Sequence, residues 1–150
     1  MKIDLIPLTP SDADTETLKQ IHAAPSVAKY ISISDNYFNY VATANGVVYH
    51  KIMADGILVG GLHSEITGET VYLSICVAEE YRRRGIAEKA LKQLIGSFPD
   101  EIKIIEVSID KTNEASVCLF EKSGFTEVGK EDELIIYRYS LHGQSAYDKE

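Results

Sequence analysis

The clearest pattern of apolar and polar positions lies between residues 71 and 95. From Val71 to Val77 every second residue is apolar, and this period of two predicts a strand. Between Ile86 and Ile95 the apolar residues instead recur in pairs four positions apart, which places them on one face of a helix. The stretch therefore predicts a strand, a short loop and a helix, in that order.

The rest of the chain predicts one mixed α/β domain of the α+β type. Strand-like and helix-like runs follow the order β-α-α-β-β-β-α-β-α-β-β, about seven strands and about four helices. One helix joins two of the strands by a right-handed crossover, so that pair is expected to be parallel. Outside residues 71–95, the predicted strands cover residues 2–8, 47–53, 57–64, 102–109, 125–130 and 134–141, and the predicted helices start near residues 12, 35 and 113, with a short piece after residue 25.

The loop between the strand and the helix carries a candidate anion site. It contains three consecutive arginines followed by a glycine, Arg82 to Gly85. Where a helix begins, several backbone N–H groups lack an intrahelical partner and the positive end of the helix dipole points outward. Glycine allows close approach of the backbone, and arginine offers paired donors for phosphate oxygens. We predict a pyrophosphate site, with a solvated basic loop as the alternative.

Composition narrows the class of protein. The chain has 150 residues and a net charge of −8, which fits one globular domain and argues against nucleic-acid binding. It shows neither an apolar window long enough for a membrane span nor a signal peptide, so we expect a cytoplasmic protein. Cys76 and Cys118 lack metal-ligand spacing and are expected to be reduced, mostly buried thiols; no metal site is predicted. We expect a single domain over residues 1–141 and a polar tail over residues 142–150.

Two motifs resemble those of one acetyltransferase superfamily. The first, Arg82-x-x-Gly85-x-Ala87, resembles the acyl-CoA pyrophosphate loop of the GNAT superfamily of N-acetyltransferases. It is neither the GxxxxGK[ST] nor the GxGxxG phosphate loop. The second motif, residues 113–125, resembles the family's Asn-x-x-Ala/Ser-x-x-Leu-Tyr-x-x-x-Gly-Phe block, a helix that ends at a glycine. The resemblance covers residues 57–139, and the order of elements resembles the GNAT fold as a whole.

The resemblance implies that acetyl-CoA binds between two splayed parallel strands. In the family, the strand equivalent to residues 71–77 splays from the strand equivalent to residues 102–109, and the pantetheine arm enters the gap. The main chain of residues 75–77 would hold that arm, and a backbone N–H would polarise the thioester carbonyl. By this resemblance the cofactor-binding residues are Ile75, Cys76, Val77, Arg82, Arg83, Arg84, Gly85, Ile86, Ala87, Asn113, Ser116 and Phe120.

The catalytic residues are less well defined. Phe120 stands where the family often has a tyrosine that protonates the leaving thiolate, and phenylalanine has no proton to give. Loss of a general acid costs of order 10²–10⁴ in rate. Two residues are candidate bases: Glu106 on the second parallel strand, and His63, which would lie roughly level with Leu73 if the hairpin centres on residues 67 and 68. For each of them an ordinary surface role is the alternative.

Three functions from different classes remain open at this point. An N-acetyltransferase that transfers an acetyl group from acetyl-CoA to a primary amine of a small molecule or protein, by direct attack of the amine, is favoured. A catalytically weakened acyl-CoA-binding or regulatory module is second, because of Phe120. A basic-loop protein that binds nucleic acid is third, opposed by the net charge. The expected partners are acetyl-CoA and an amine acceptor, for a chain that is a monomer or a homodimer.

Overall fold

Seven strands and five helices make up the computed structural model, which describes residues 1–141. The predicted tail, residues 142–150, lies outside the described residues. The strands are β1 (Ile3–Pro7), β2 (Val47–Ala54), β3 (Ile57–Thr67), β4 (Thr70–Val77), β5 (Ile104–Asp110), β6 (Thr126–Glu131) and β7 (Leu134–Ser140). The helices are α1 (Thr15–Ala23), α2 (Pro25–Ala28), α3 (Tyr37–Thr43), α4 (Ile86–Ser97) and α5 (Glu114–Lys122), and a short 3-10 turn covers Glu79–Tyr81.

All seven strands form one mixed sheet in the order β1-β2-β3-β4-β5-β7-β6. Each neighbouring pair is antiparallel except β4 and β5, which are parallel because α4 connects them across the sheet. The predicted mixed sheet and its parallel pair are thus confirmed. The parallel pairing runs only from Thr70 and Ile104 to Tyr72 and Glu106. Beyond those residues the two strands are no longer paired with each other.

The sheet has an apolar layer on each face. On one face, α4 buries Ala90, Leu91 and Leu94 in the largest core cluster, which includes alternate residues of the central strands such as Val71 and Ile105. On the opposite face, helices α1 and α3 pack around Tyr49, with Leu18, Phe38 and Val41 as the main apolar contacts. This division follows from the period of two in the strands, which sends successive side chains to opposite faces. Within residues 1–141, no helix is long and apolar enough to cross a membrane.

Two helix ends confirm predictions made from single residues. The side chain of Asn113 accepts a hydrogen bond from the backbone N–H of Ser116, at 3.3 Å, and so caps α5. At the other end of α5, Gly124 adopts φ +98°, and the backbone N–H of Phe125 donates to the carbonyl of Phe120 at 3.0 Å. This is the left-handed glycine closure expected after a helix.

Gly60 and Gly61 in β3 permit a close approach of neighbouring groups. A Cβ atom at Gly60 would overlap the carbonyl oxygen of Cys76, and one at Gly61 would overlap the hydroxyl of Tyr49. A register shift between Ile52 and Met53 of β2 lies opposite this segment. This segment of β3 therefore combines an irregular register with a close approach of its neighbours.

The contact at Gly61 gives a test of core packing. Gly61→Ala should lower the free energy of unfolding by about 1–3 kcal/mol, because the new methyl group must displace the buried Tyr49 ring. The same substitution at Gly96, where a Cβ meets nothing within 4 Å, should leave stability unchanged or slightly higher. Chemical denaturation of both variants checks this. Equal effects at the two glycines would contradict the packing argument.

Candidate active site

A cleft of about 810 Å³ opens where β4 and β5 diverge. Its walls come from the ends of both strands, from the loop before α4, from α5 and from the α2 region. Twelve of the residues that line it carry aliphatic or phenyl side chains, which can exclude water from part of an extended ligand. Its apolar lining residues are Val27, Ile31, Leu73, Ile75, Val77, Ile86, Ala87, Val107, Ile109, Ala115, Leu119 and Phe120.

The main chain of β4 has one free side in this cleft. Ile75, Cys76 and Val77 pair with β3 through Leu62, Gly61 and Gly60, but they have no partner on the β5 side. In a strand the backbone N–H and C=O groups alternate in direction, so part of those in residues 73–77 point into the gap. All three predicted residues line the cleft. An extended ligand with amide groups can therefore pair with this strand edge.

The loop before α4 forms one end of the cleft. Gly85 is the N-cap residue of α4 and adopts φ +78°, a left-handed conformation that glycine accepts without strain. Its neighbour Arg83 also has a positive φ, +64°. Arg82, Arg83, Gly85, Ile86 and Ala87 line the cleft, where the first N–H groups of the helix lack intrahelical partners. This arrangement is an anion site of the kind that phosphate groups use.

The three arginines of this loop have different environments. The Arg82 Nε atom donates to the carbonyl oxygen of Val77 at 2.9 Å and so ties the loop to the end of β4. Arg84 does not line the cleft, and its guanidinium lies 5.3 Å from the centre of the Tyr81 ring. Arg83 lines the cleft and has no such anchoring contact among the interactions described. Of the three side chains, Arg83 is best placed to meet a phosphate.

Helix α5 forms the wall that faces the loop. Asn113, Ser116 and Phe120 all line the cleft, as the motif implied. Phe120 is also a core residue: it is 3% exposed and packs edge-on against Phe125, with the ring centres 5.0 Å apart. The prediction that Cys118 is mostly buried is wrong. Cys118 is exposed, because Phe120 is the buried residue of this helix and Cys118 lies on a different side of it.

The two candidate bases lie beside the cleft, not among the residues that line it. Glu106 pairs with Arg138, whose Nε atom donates to the Glu106 carboxylate at 2.9 Å. His63 lies opposite Ser74 in the sheet, so its predicted position level with Leu73 is wrong by one residue. The turn of this hairpin consists of residues 68 and 69, since Thr67 still pairs with Thr70. That one-residue shift matters, because it moves His63 to the face of β4 that carries Ser74.

A contact that the sequence did not reveal crosses the cleft. The Tyr30 hydroxyl, in the segment after α2, lies 3.2 Å from the Thr112 hydroxyl, in the loop after β5. Thr112 donates two hydrogen bonds to the Asp110 carboxylate, one from its backbone N–H at 2.9 Å and one from its hydroxyl at 2.7 Å. These hydrogen bonds lower the pKa of Asp110. The aromatic residues between Tyr30 and Tyr40 are the sequence signal that could have pointed to a pocket in this region.

A buried polar cluster contacts β4 at Cys76. The Nε2 atom of His22 lies 2.9 Å from the Tyr49 hydroxyl and 3.5 Å from the Cys76 sulfur. Burial lowers the pKa of His22 to about 4 and raises the pKa of Cys76 to about 11. Both groups are therefore neutral near pH 7. Within residues 1–141, no group of histidine, cysteine or carboxylate side chains is arranged to hold a metal ion.

Comparison with known proteins identifies the architecture. A sequence profile of the acetyltransferase (GNAT) family matches residues 15–125. Among solved structures, a domain from Methanocaldococcus jannaschii DSM 2661 has a TM-score of 0.81 and 19% identity, covering 93% of this chain and 99% of that chain. A comparison with curated protein sequences finds no significant match.

Two further solved structures contain a bound CoA compound. NAA60 of Arabidopsis thaliana in complex with acetyl-CoA has a TM-score of 0.77 and 20% identity, covering 95% of this chain and 100% of that chain. The aminoglycoside acetyltransferase AAC(6')-Ib in complex with coenzyme A has a TM-score of 0.79 and 16% identity, covering 93% of this chain and 95% of that chain. At these identities the likeness shows a shared fold.

The buried histidine predicts a pH dependence of stability. The folded-state pKa of His22, about 4, lies below the ordinary value of 6.5 that applies to the unfolded chain, so folding favours the neutral ring. Its contribution is complete above pH 6.5 and falls by about 3 kcal/mol as the pH decreases toward 4. We expect wild type to exceed His22→Gln in unfolding free energy at pH 7 and that difference to be about 2 kcal/mol smaller at pH 5. Denaturation curves at both values check this; a difference independent of pH would contradict it.

Proposed function

Because this chain belongs to the GNAT family of acetyltransferases, we propose that it transfers an acetyl group from acetyl-CoA to a primary amine of a small molecule or protein. The observation that carries the proposal is the cleft between β4 and β5, with a helix N-terminus and Arg83 at one end. The complexes of NAA60 with acetyl-CoA and of AAC(6')-Ib with coenzyme A support the same ligand for this cleft.

The residues of the cleft fit the parts of a CoA compound. The N–H groups at the start of α4, next to Gly85, and the Arg83 guanidinium suit a pyrophosphate. The free edge of residues 73–77 suits the amides of the pantetheine arm, since it can extend the sheet as an added strand does. When bound, acetyl-CoA supplies the activated acetyl group as a thioester.

The chain's own groups provide positioning and polarisation. A free backbone N–H of β4 can donate to the thioester carbonyl, where negative charge develops when the amine attacks. The apolar lining keeps water from the reacting carbon, and the neutral Cys76 thiol does not compete as a nucleophile. Phe120 offers no proton to the leaving sulfur. A thiol with a reference pKa near 8.5 can leave as the thiolate without one.

Phe120 also favours the second candidate, a module that binds acyl-CoA without turnover. Thiol release from acetyl-CoA separates the two functions. The assay uses a panel of amines: a peptide with a free N-terminus, a lysine side chain in a blocked peptide, a polyamine and small metabolite amines. Release above the hydrolysis background with any of them supports the transferase. Tight binding of acetyl-CoA with no release from the whole panel supports the module.

The glycine of the loop gives a first test of cofactor binding. Gly85→Glu should weaken the affinity for CoA by at least about tenfold, because a side chain and a negative charge would meet the phosphate site. Gly56→Glu is a matched control: its φ of +82° resembles the +78° of Gly85, and a Cβ at either meets nothing within 4 Å. Calorimetric titration of both folded variants measures this. Equal affinities would place the pyrophosphate elsewhere.

The arginines give a second test, based on their different positions. Arg83→Ala should weaken CoA binding about 3–10-fold at low salt and reduce its salt dependence, because Arg83 lines the cleft. Arg84→Ala removes the same charge from a side chain that lies over the Tyr81 ring, and it should change the salt dependence of CoA binding less. Dissociation constants across a salt series measure both effects. A larger loss of CoA affinity in Arg84→Ala than in Arg83→Ala would mean that Arg84, and not Arg83, meets the phosphate.

A further inference from the structure

Four side chains beside the cleft form one hydrogen-bonded chain. The Tyr37 hydroxyl lies 2.6 Å from Nδ1 of His63, and Nε2 of His63 lies 2.8 Å from one oxygen of Glu65. The Tyr40 hydroxyl donates to the other oxygen of Glu65 at 3.2 Å. Tyr37 and Tyr40 come from α3, whereas His63 and Glu65 come from β3. The chain thus links a helix to the strand next to β4.

The chemistry of these groups fixes the direction of the hydrogen bonds. An ionised carboxylate only accepts, so Nε2 of His63 carries the hydrogen that is donated to Glu65. In a neutral ring Nδ1 is then an acceptor, and the Tyr37 hydroxyl donates to it. A proton that reaches the Tyr37 oxygen can therefore displace the hydroxyl proton onto Nδ1. The resulting imidazolium would already be paired with a carboxylate.

The histidine of this hydrogen-bonded chain lies close to the cleft. His63 lies directly opposite Ser74, and the Cβ atoms of such antiparallel partners are about 4.5–5.5 Å apart. Ser74 is exposed and lines the cleft just past the point where β4 and β5 separate. Tyr37 is half-buried, and burial, with a smaller contribution from Cys76, raises the pKa of its hydroxyl. Its ring centre lies 5.7 Å from that of His22, whose Nε2 atom lies 3.5 Å from the Cys76 sulfur, so Tyr37 lies on the face of the sheet where β4 carries Cys76.

The surroundings of His63 contain one ionised group. Glu65 lies on the same strand and is the partner already described. From the other elements, the groups that face this region are Tyr37 and Tyr40 of α3, His22 of α1, Tyr49 of β2, and Ser74 and Cys76 of β4. Burial keeps the His22 ring neutral, with a pKa of about 4, and the Cys76 thiol is neutral too. Glu65 is therefore the group that would stabilise a positive charge on His63.

The rival base is held differently. Glu106 accepts a hydrogen bond from the Arg138 guanidinium at 2.9 Å, and its side chain is 15% exposed. One of its carboxylate oxygens is thus already engaged by a cation. His63 instead holds a hydroxyl on its acceptor nitrogen, Nδ1, and a carboxylate on its Nε2.

We propose that the pair Tyr37–His63, oriented by Glu65, accepts the proton of the amine acceptor during acetyl transfer. The assignment rests on the proposed function and selects acceptors that arrive as alkylammonium ions. The ammonium N–H bond breaks and its proton bonds to the Tyr37 oxygen, while the Tyr37 proton moves to Nδ1 of His63. The freed nitrogen pair forms the bond to the acetyl carbon, and the carbon–sulfur bond breaks with its electrons on sulfur. Tyr37 meets the amine; His63 and Glu65 are positioning residues.

A spectroscopic experiment tests the hydrogen-bonded chain without turnover. In protein labelled with ¹⁵N-histidine, long-range ¹H–¹⁵N spectra should show His63 with its hydrogen on Nε2. Tyr37→Phe should shift the Nδ1 resonance, and Glu65→Gln should shift the Nε2 resonance, because each variant changes the hydrogen bond at that nitrogen. The matched control is Tyr137→Phe. It removes a hydroxyl of β7 that donates to Glu121 of α5 at 2.8 Å and takes no part in the hydrogen bonds of His63. A hydrogen on Nδ1, or His63 resonances that are identical in all variants, would overturn the proposal.

A kinetic experiment tests the proton transfer itself with two probe amines. n-Butylamine is almost fully protonated at pH 7, since alkylammonium groups have pKa values near that of lysine, about 10.4. Hydroxylamine is largely neutral at pH 7 and needs no base before it attacks. His63→Gln should slow thiol release with n-butylamine by on the order of 10²-fold. The rate with hydroxylamine should change by less than about threefold, and Tyr137→Phe should leave both unchanged.

The outcomes separate this proposal from the function on which it rests. Tyr37→Phe and Glu65→Gln are the milder variants if His63→Gln fails to fold, and they should show the same selectivity for n-butylamine. Parallel losses with both amines, or a selective loss in Glu106→Gln instead, would overturn the relay. Wild-type turnover of hydroxylamine but of no alkylamine would overturn the relay and leave the transferase standing. Thiol release with neither amine, nor with any member of the acceptor panel, would overturn both.

Discussion

The early end of the parallel pairing between β4 and β5 is the constraint on which the site depends. Only three residue pairs join the two strands, while β4 pairs with β3 and β5 pairs with β7 along their lengths. The sheet therefore consists of two continuously paired halves, β1–β4 and β5–β7–β6, which are joined by three residue pairs between β4 and β5. Unpaired main-chain groups on the two inner edges need partners, because buried N–H and C=O groups are rarely left unsatisfied. A cleft with free strand edges follows directly from this division.

Features encoded by neighbouring residues were predictable from the sequence. The glycine at position 85 and the asparagine at position 113 each determine a helix terminus within a few residues, and both ends formed as expected. The order of strands and helices followed from apolar periodicity, because each amphipathic segment must bury one face. The parallel pair then followed from the single helical crossover. Where the cause of a feature is local, one sequence was enough.

Features that depend on long-range register were not predictable in the same way. A shift of one residue in the hairpin moved His63 from the level of Leu73 to that of Ser74, and the sequence of the turn allowed both. The hydrogen bonds from Tyr37 to His63 and from Tyr40 to Glu65 join residues about 25 positions apart. The different environments of Arg82, Arg83 and Arg84 also depend on backbone dihedral angles. A run of three identical residues gives no sign of which arginine adopts which angles. In each case the decisive information lies in the packing of distant segments.

Because residue 120 has no hydroxyl, the proposed reaction has no tyrosine to protonate the leaving thiolate, and only the removal of the amine proton is left to assist. Phe120 is a core residue that packs on Phe125, so its ring contributes to the fold as well as to the cleft wall. A thiolate can leave without help at neutral pH, whereas an alkylammonium ion has no free electron pair and cannot attack at all. The step that needs assistance is therefore removal of the amine proton. In the proposed reaction, the His63 imidazole, paired with the Glu65 carboxylate one strand away from the cleft, would assist that step. Acetyl transfer by this route would not require the acid that Phe120 cannot supply.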